Sequence, residues 1–200
     1  MLTAVEAITA FGLATLVITY VASLNSAVAA KRQFARHVFG LGDSPIEILT
    51  SSWTGREFRL LEDHLVSLSR DIHEMVEAEL TYPLLHYFLT RHRMAAEWPA
   101  IAVLNEVVLL MDNYVETRYR PARLAVDPVE GDRASLPSPA EIRALRDAGI
   151  PVLSGAKPSE RDLRRRHRVR AVLERQGWPW DIALGTETVS GGAPSVRDRR

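Results

Sequence analysis

The feature that most constrains this chain is a run of 24 consecutive residues without a charge, Ala7 to Ala30. As a helix at about 1.5 Å per residue it reaches roughly 36 Å, more than the ~30 Å hydrocarbon core of a bilayer. Lys31, Arg32 and Arg36 follow closely, whereas Glu6 is the only charged side chain before the run. Three readings compete for it. A cleaved leader is suggested by the small residues of "SAVAA", but a leader places basic residues first and carries a shorter apolar stretch. A buried soluble helix is compatible with the polar groups that dilute the run, Thr9, Thr15, Thr19, Ser23, Asn25 and Ser26. A membrane span accounts for the length and for the basic flank, which puts the carboxyl end in the cytoplasm.

The polar residues of the run are ordered. Thr9, Gly12, Thr15, Thr19, Ser23 and Ser26 recur at steps of three and four, so they form one stripe, while Phe11, Leu13, Leu16, Val17, Ile18, Val21 and Leu24 mostly lie elsewhere. One face is small and polar, and the other suits lipid. Such a stripe serves close packing against another membrane helix, or it faces a watery pore.

The segment "AVEAITAFGLATLVITYVASLNSAVAAKRQFAR" resembles the inner, pore-lining helix of bacterial two-transmembrane potassium-channel-like proteins, through Glu6, Ala7, Gly12, Thr19, Tyr20, Lys31 and Arg32. The resemblance continues through "YPLLHYF" (Tyr82 to Phe88), "WPAIAVLNE" and "GWPW", to about Trp180. It implies a homo-oligomer, a tetramer if channel-like, handling a monovalent cation such as K+. Thr15, Thr19, Ser23 and Ser26 would line the lower pore, and Gly12 would be its hinge. It also implies a bacterial inner membrane location, single-pass, and an assembly or gating role for the cytosolic part.

One departure stands out. Such channels carry a re-entrant pore helix and a filter of backbone carbonyls before this helix, and nothing before Met1 supplies them here. Either Met1 is an internal methionine of a longer frame or the chain is a natural fragment; in neither case are these residues expected to conduct selectively alone. "FGLGDSP" (Phe39 to Pro45) imitates a filter only superficially, because it lies beyond the basic residues. Its glycines, Gly40 and Gly42, break the first helix, and Ser44, Pro45 and Glu47 start the next through a capping arrangement.

The remainder reads as helical. Ile46 to Trp53 is a short helix, and Arg56 to Leu80 is an amphipathic one that packs through Phe58, Leu61, Leu65, Leu68, Ile72, Met75 and Val76. Pro83 breaks it. Pro99 opens a helix to about Tyr119, stopped by Pro121, whose apolar centre "IAVLNEVVLLM" is too short for a second span and makes it the domain's central helix. Ser138 caps a helix from Pro139 to Ala148 closed by Gly149, and Ser159 caps another from Glu160 to Gln176 closed by Gly177. Trp178 and Trp180 anchor that last helix.

The fold class is therefore all-α: a transmembrane helix with a basic extension over 1–39, a cytosolic helical domain over 44–125, a linker over 126–137, C-terminal helices over 138–184 and a disordered tail over 185–200.

Charge narrows the partners. Lysine plus arginine equals aspartate plus glutamate at 25 each, so no global field gathers nucleic acid. Locally, "RDLRRRHRVR" (Arg161 to Arg170) holds six arginines in ten residues. Nucleic acid phosphates, the anionic inner leaflet, the acidic helix of Leu61 to Thr90 and plain solvent compete for it. With a span at the other end, nucleic acid is not expected. The membrane-surface set is Lys31, Arg32, Arg36, Arg164, Arg165 and Arg168.

The absence of cysteine removes disulfides, thiolate zinc sites and a cysteine nucleophile. His64 and His73 stand nine positions apart and point to opposite faces of their helix, and His73 with Glu77 makes only two ligands where zinc takes three or four. No nucleophile elbow, phosphate loop or HExxH is present, so neither enzyme activity, nor a metal, nor a cofactor is expected. A membrane-tethered helical interaction domain without transport is the second reading, and a soluble helical protein the third.

Overall fold

The computed structural model describes residues 2–87, 90, 92–120, 138–153 and 155–181. Its elements are α1 (Leu2–Leu41), α2 (Pro45–Ser52), α3 (Arg59–Thr81), α4 (Glu97–Tyr114), α5 (Pro139–Asp147) and α6 (Glu160–Arg175), with 3-10 turns at Pro83–Tyr87, Arg93–Ala95 and Thr117–Tyr119. The chain is all-α: among the described residues β pairing is limited to one isolated antiparallel bridge, Val115 to Val152. The linker expected over 126–137 and the tail over 185–200 lie outside the described residues.

α1 is a single helix of 40 residues. It ends where Gly40 and Gly42 predict, and the two glycines do different jobs. A Cβ on Gly42 would sit 3.0 Å from the Ile48 backbone nitrogen, whereas one on Gly40 would meet nothing within 4 Å. α2 then starts on the predicted cap: Ser44 Oγ accepts from the Glu47 N–H at 3.2 Å, and the Glu47 carboxylate accepts from the Asp43 N–H at 2.8 Å.

α4 is the central helix, enclosed by α1, α2 and α6. Ala100, Ala102, Val103, Val107, Leu109 and Leu110 are fully buried in one core with Phe34, Ala35, Val38 and Phe39 of α1, Ile48 and Leu49 of α2, Leu61, Leu65 and Leu68 of α3, Leu145 of α5 and Leu173 of α6. Trp180 joins this core and Trp178 packs against it, as the expected anchors of α6. A second, smaller cluster gathers Leu24, Ala27 and Val28 of α1 with Ala78 of α3, Tyr82 and Leu85.

Two local expectations are corrected. α4 stops at Tyr114 rather than near Tyr119, because the chain turns extended to pair with residues 151–153. Glu116 N–H donates to the Pro151 carbonyl and Leu153 N–H to the Tyr114 carbonyl, at 2.9 and 2.8 Å. Asn113 reinforces the stop: its amide donates to Asp162, and it accepts from the Ser159 N–H, which fastens the end of α4 to the start of α6. Val76 is the second correction. It lies 46% exposed, on the outer flank of α3, because Ile72 and Met75 already fill the inner one.

Candidate functional site

The site predicted from sequence is the polar stripe of α1. Gly12, Thr15, Thr19 and Ser26 are exposed, as are residues 8–22 throughout, including Phe11 at 78%, Leu16 at 67% and Ile18 at 68%. A soluble core helix of this length would bury such side chains.

The stripe has an internal hydrogen-bond pattern. Thr15 Oγ1 donates to the Phe11 carbonyl at 2.9 Å, Thr19 Oγ1 to the Thr15 carbonyl at 2.9 Å and Ser23 Oγ to the Thr19 carbonyl at 3.0 Å. Each hydroxyl proton is thus satisfied four residues back along the helix, which lowers the cost of placing it in an apolar medium. The oxygens keep lone pairs on the outer side, available to a neighbouring helix or to water. At Gly12 a Cβ would meet nothing within 4 Å, so no contact inside this chain requires glycine there.

Beyond Ser23, α1 enters the protein. Leu24, Ala27, Val28, Lys31, Phe34, Ala35 and Val38 repeat an i, i+3, i+4, i+7 pattern, which makes a core-facing stripe. Lys31 belongs to it. It is 4% exposed, and its Nζ donates to Glu79 Oε1 of α3 at 2.5 Å and Glu97 Oε1 of α4 at 3.1 Å. Its place in the membrane-surface set is therefore corrected: the stripe that buries Val28 and Phe34 also buries Lys31. Arg32 and Arg36, on other faces, stay exposed.

Further along, His37 of α1 bridges two residues of α3. Its Nδ1 lies 3.1 Å from Asp71 Oδ2 and its Nε2 lies 3.3 Å from His64 Nδ1. His64 therefore has a histidine partner, but it is His37 and not His73. Among the described residues no group of three or more His, Asp or Glu side chains is arranged to hold a metal ion.

The basic helix α6 also turns partly inward. Arg166 is 2% exposed and donates from Nε to Glu106 Oε1 of α4 at 2.7 Å, with its guanidinium over the Trp180 ring. Burial pushes the Glu106 carboxyl up to about 6, against the downward pull of the Arg166 guanidinium. Of the surface set, Arg164 is accessible beside Glu160, whereas Arg165 is largely enclosed 3.7 Å from Asp162. Arg168 is half-buried, with Nε and Nη1 enclosed and without a hydrogen-bond partner among the described residues. The intramolecular acid that α6 meets is therefore Glu106 of α4, not the acidic face of α3. A glutamate in the middle of "LNEVVLL" was the available signal, since a buried carboxylate demands a cation.

A long apolar helix, left bare over its first half and built into a helical core over its second, defines an all-helical membrane-associated protein with, among the described residues, one helix long and apolar enough to cross a bilayer. The chain is similar to the uncharacterized membrane protein YdjJ of Bacillus subtilis (strain 168), 28% identical over 163 residues that make up 73% of this chain and 48% of that protein. It thus spans about half the length of the curated relative it matches. No family model and no solved structure matches the chain. The resemblance to potassium-channel-like proteins gains no support from these comparisons.

Proposed function

We propose that α1 is a membrane span whose polar stripe lines the cytoplasmic half of a cation pathway formed by several copies, and that the helical core assembles or gates those copies from the cytoplasm. The observation that carries the reading is continuity. The helix that bears Thr15 and Thr19 on an uncovered face, and Ser23 where cover begins, runs unbroken into the core, where Lys31, Phe34 and Val38 lock it to α3 and α4. A movement of the core would be transmitted along α1 without an intervening loop. Gly12 is the point where the helix would bend.

Cysteine scanning of the span in membranes tests this. Positions 15, 19, 23 and 26 should react with a water-soluble thiol reagent at rates well above positions 13 and 16. Equal, slow reaction at all six would remove the pathway.

A second reading has its own support, the back-bonded hydroxyls, which leave the stripe suited to a dry contact with another membrane helix. In that case the chain is a membrane-tethered interaction module without transport. Thr15→Leu with Thr19→Leu separates the two: ion flux would fall in the first, while in the second insertion persists and association of the spans is weakened.

A further inference from the structure

We infer that the tip formed by the end of α3 and the following turn, Leu80 to Leu85, is a second membrane contact that seats in the cytoplasmic leaflet beside α1. The inference rests on α1 being the span and adds to it a surface that sequence periodicity did not single out.

The argument begins with length. Between Glu6 and Ser23 the bare part of α1, residues 8–22, measures about 22 Å, about 8 Å short of the ~30 Å hydrocarbon thickness. The missing stretch has to come from residues after Ala22, and there α1 is no longer alone. α3 runs antiparallel to it, with His37 beside Asp71, Lys31 on Glu79, and finally the Tyr20 ring 5.7 Å from the Tyr82 ring in an edge-to-face contact. Leu24, Ala27 and Val28 pack with Ala78, Tyr82 and Leu85 over the same interval. Any bilayer deep enough to cover α1 therefore also meets the tip.

The tip is built for that position. Leu80 is 74% exposed and Leu84 47%, two large aliphatic side chains with no partner in the core. Part of its backbone is paired: Tyr82 N–H donates to the Ala78 carbonyl and Leu85 N–H to the Tyr82 carbonyl, both at 2.9 Å, and the Thr81 hydroxyl donates to the Glu77 carbonyl. The acid immediately before it, Glu79, is held by Lys31. This edge-to-face tyrosine pair lies at the level where amphipathic rings gather at membrane surfaces.

Because the chain has no cysteine, single nitroxide labels report depth directly. The 200-residue chain would be labelled at Leu80→Cys, Leu84→Cys, Ile18→Cys and Leu60→Cys, all exposed positions, and reconstituted in vesicles of phosphatidylcholine with phosphatidylglycerol. Collision with oxygen and with an aqueous nickel chelate would then be compared. Labels at 80 and 84 should show an oxygen-to-chelate ratio several-fold above that at 60 and approaching that at 18. A ratio at 80 and 84 equal to that at 60, with 18 still lipid-like, overturns the tip contact and leaves the span. Low collision with both reagents at 80 and 84 means that protein covers the tip and overturns it too. A chelate-accessible label at 18 would defeat the span and the tip together.

Discussion

Arg166 and Glu106 meet at 2.7 Å inside the protein, 2% and 0% exposed, and no other contact joins α4 to α6 through two opposite charges at such depth among the described residues. Their burial makes the pair a specificity device more than a source of net stability, since desolvation offsets much of the Coulomb attraction. It fixes which face of α6 lies against α4, because only position 166 then finds a carboxylate.

Arg166→Met should therefore lower stability by about 3–5 kcal/mol, the usual cost of leaving a buried charge alone. Combining it with Glu106→Leu should recover most of that loss. Thermal unfolding of the three variants in detergent checks this; a double variant no more stable than the single one would contradict it.

The same pair sets a pH dependence. The Glu106 carboxyl titrates near 6 in the folded protein against 4.5 as its ordinary value, so between those values the folded state binds more protons than the unfolded one. Stability from this group is greatest below about pH 4.5 and is lost as pH rises through 6, by about 2 kcal/mol. Glu106→Gln should abolish that slope in melting curves taken from pH 4.5 to 7.

Lys31 links three helices through Glu79 and Glu97. Lys31→Met should cost about 3 kcal/mol by leaving the nearly buried Glu97 without its cation, and should loosen the α1–α3 junction first. Limited proteolysis is expected to cut near the end of α3 sooner in the variant than in the parent.

The glycines ending α1 should respond oppositely to alanine. Gly40→Ala, inside the helix with open space at its Cβ, should stabilise by roughly 0.5–1 kcal/mol. Gly42→Ala drives a methyl against the Ile48 backbone at 3.0 Å and should destabilise. Paired melts of the two variants decide it.

Where each helix starts and stops was largely legible in the chain itself. Ser44, Ser138 and Ser159 each accept a backbone N–H three residues on, and Gly149 and Gly177 close their helices with positive φ. These signals work because a cap is satisfied within a few residues. The uncharged length of α1 and the apolar centre of α4 were equally plain, since length and hydropathy are properties of one segment.

The tertiary structure alone decided the partners. Lys31 reads from sequence as a flank for anionic lipid and Arg166 as one arginine in a charged run, yet each closes on a glutamate 48 to 66 positions away. The bend that ends α4 at Tyr114 likewise depends on residues 151–153. Local chemistry fixes the backbone of a helix, but which of its faces is desolvated depends on the helices laid against it, and only desolvation turns a surface charge into half of a buried pair.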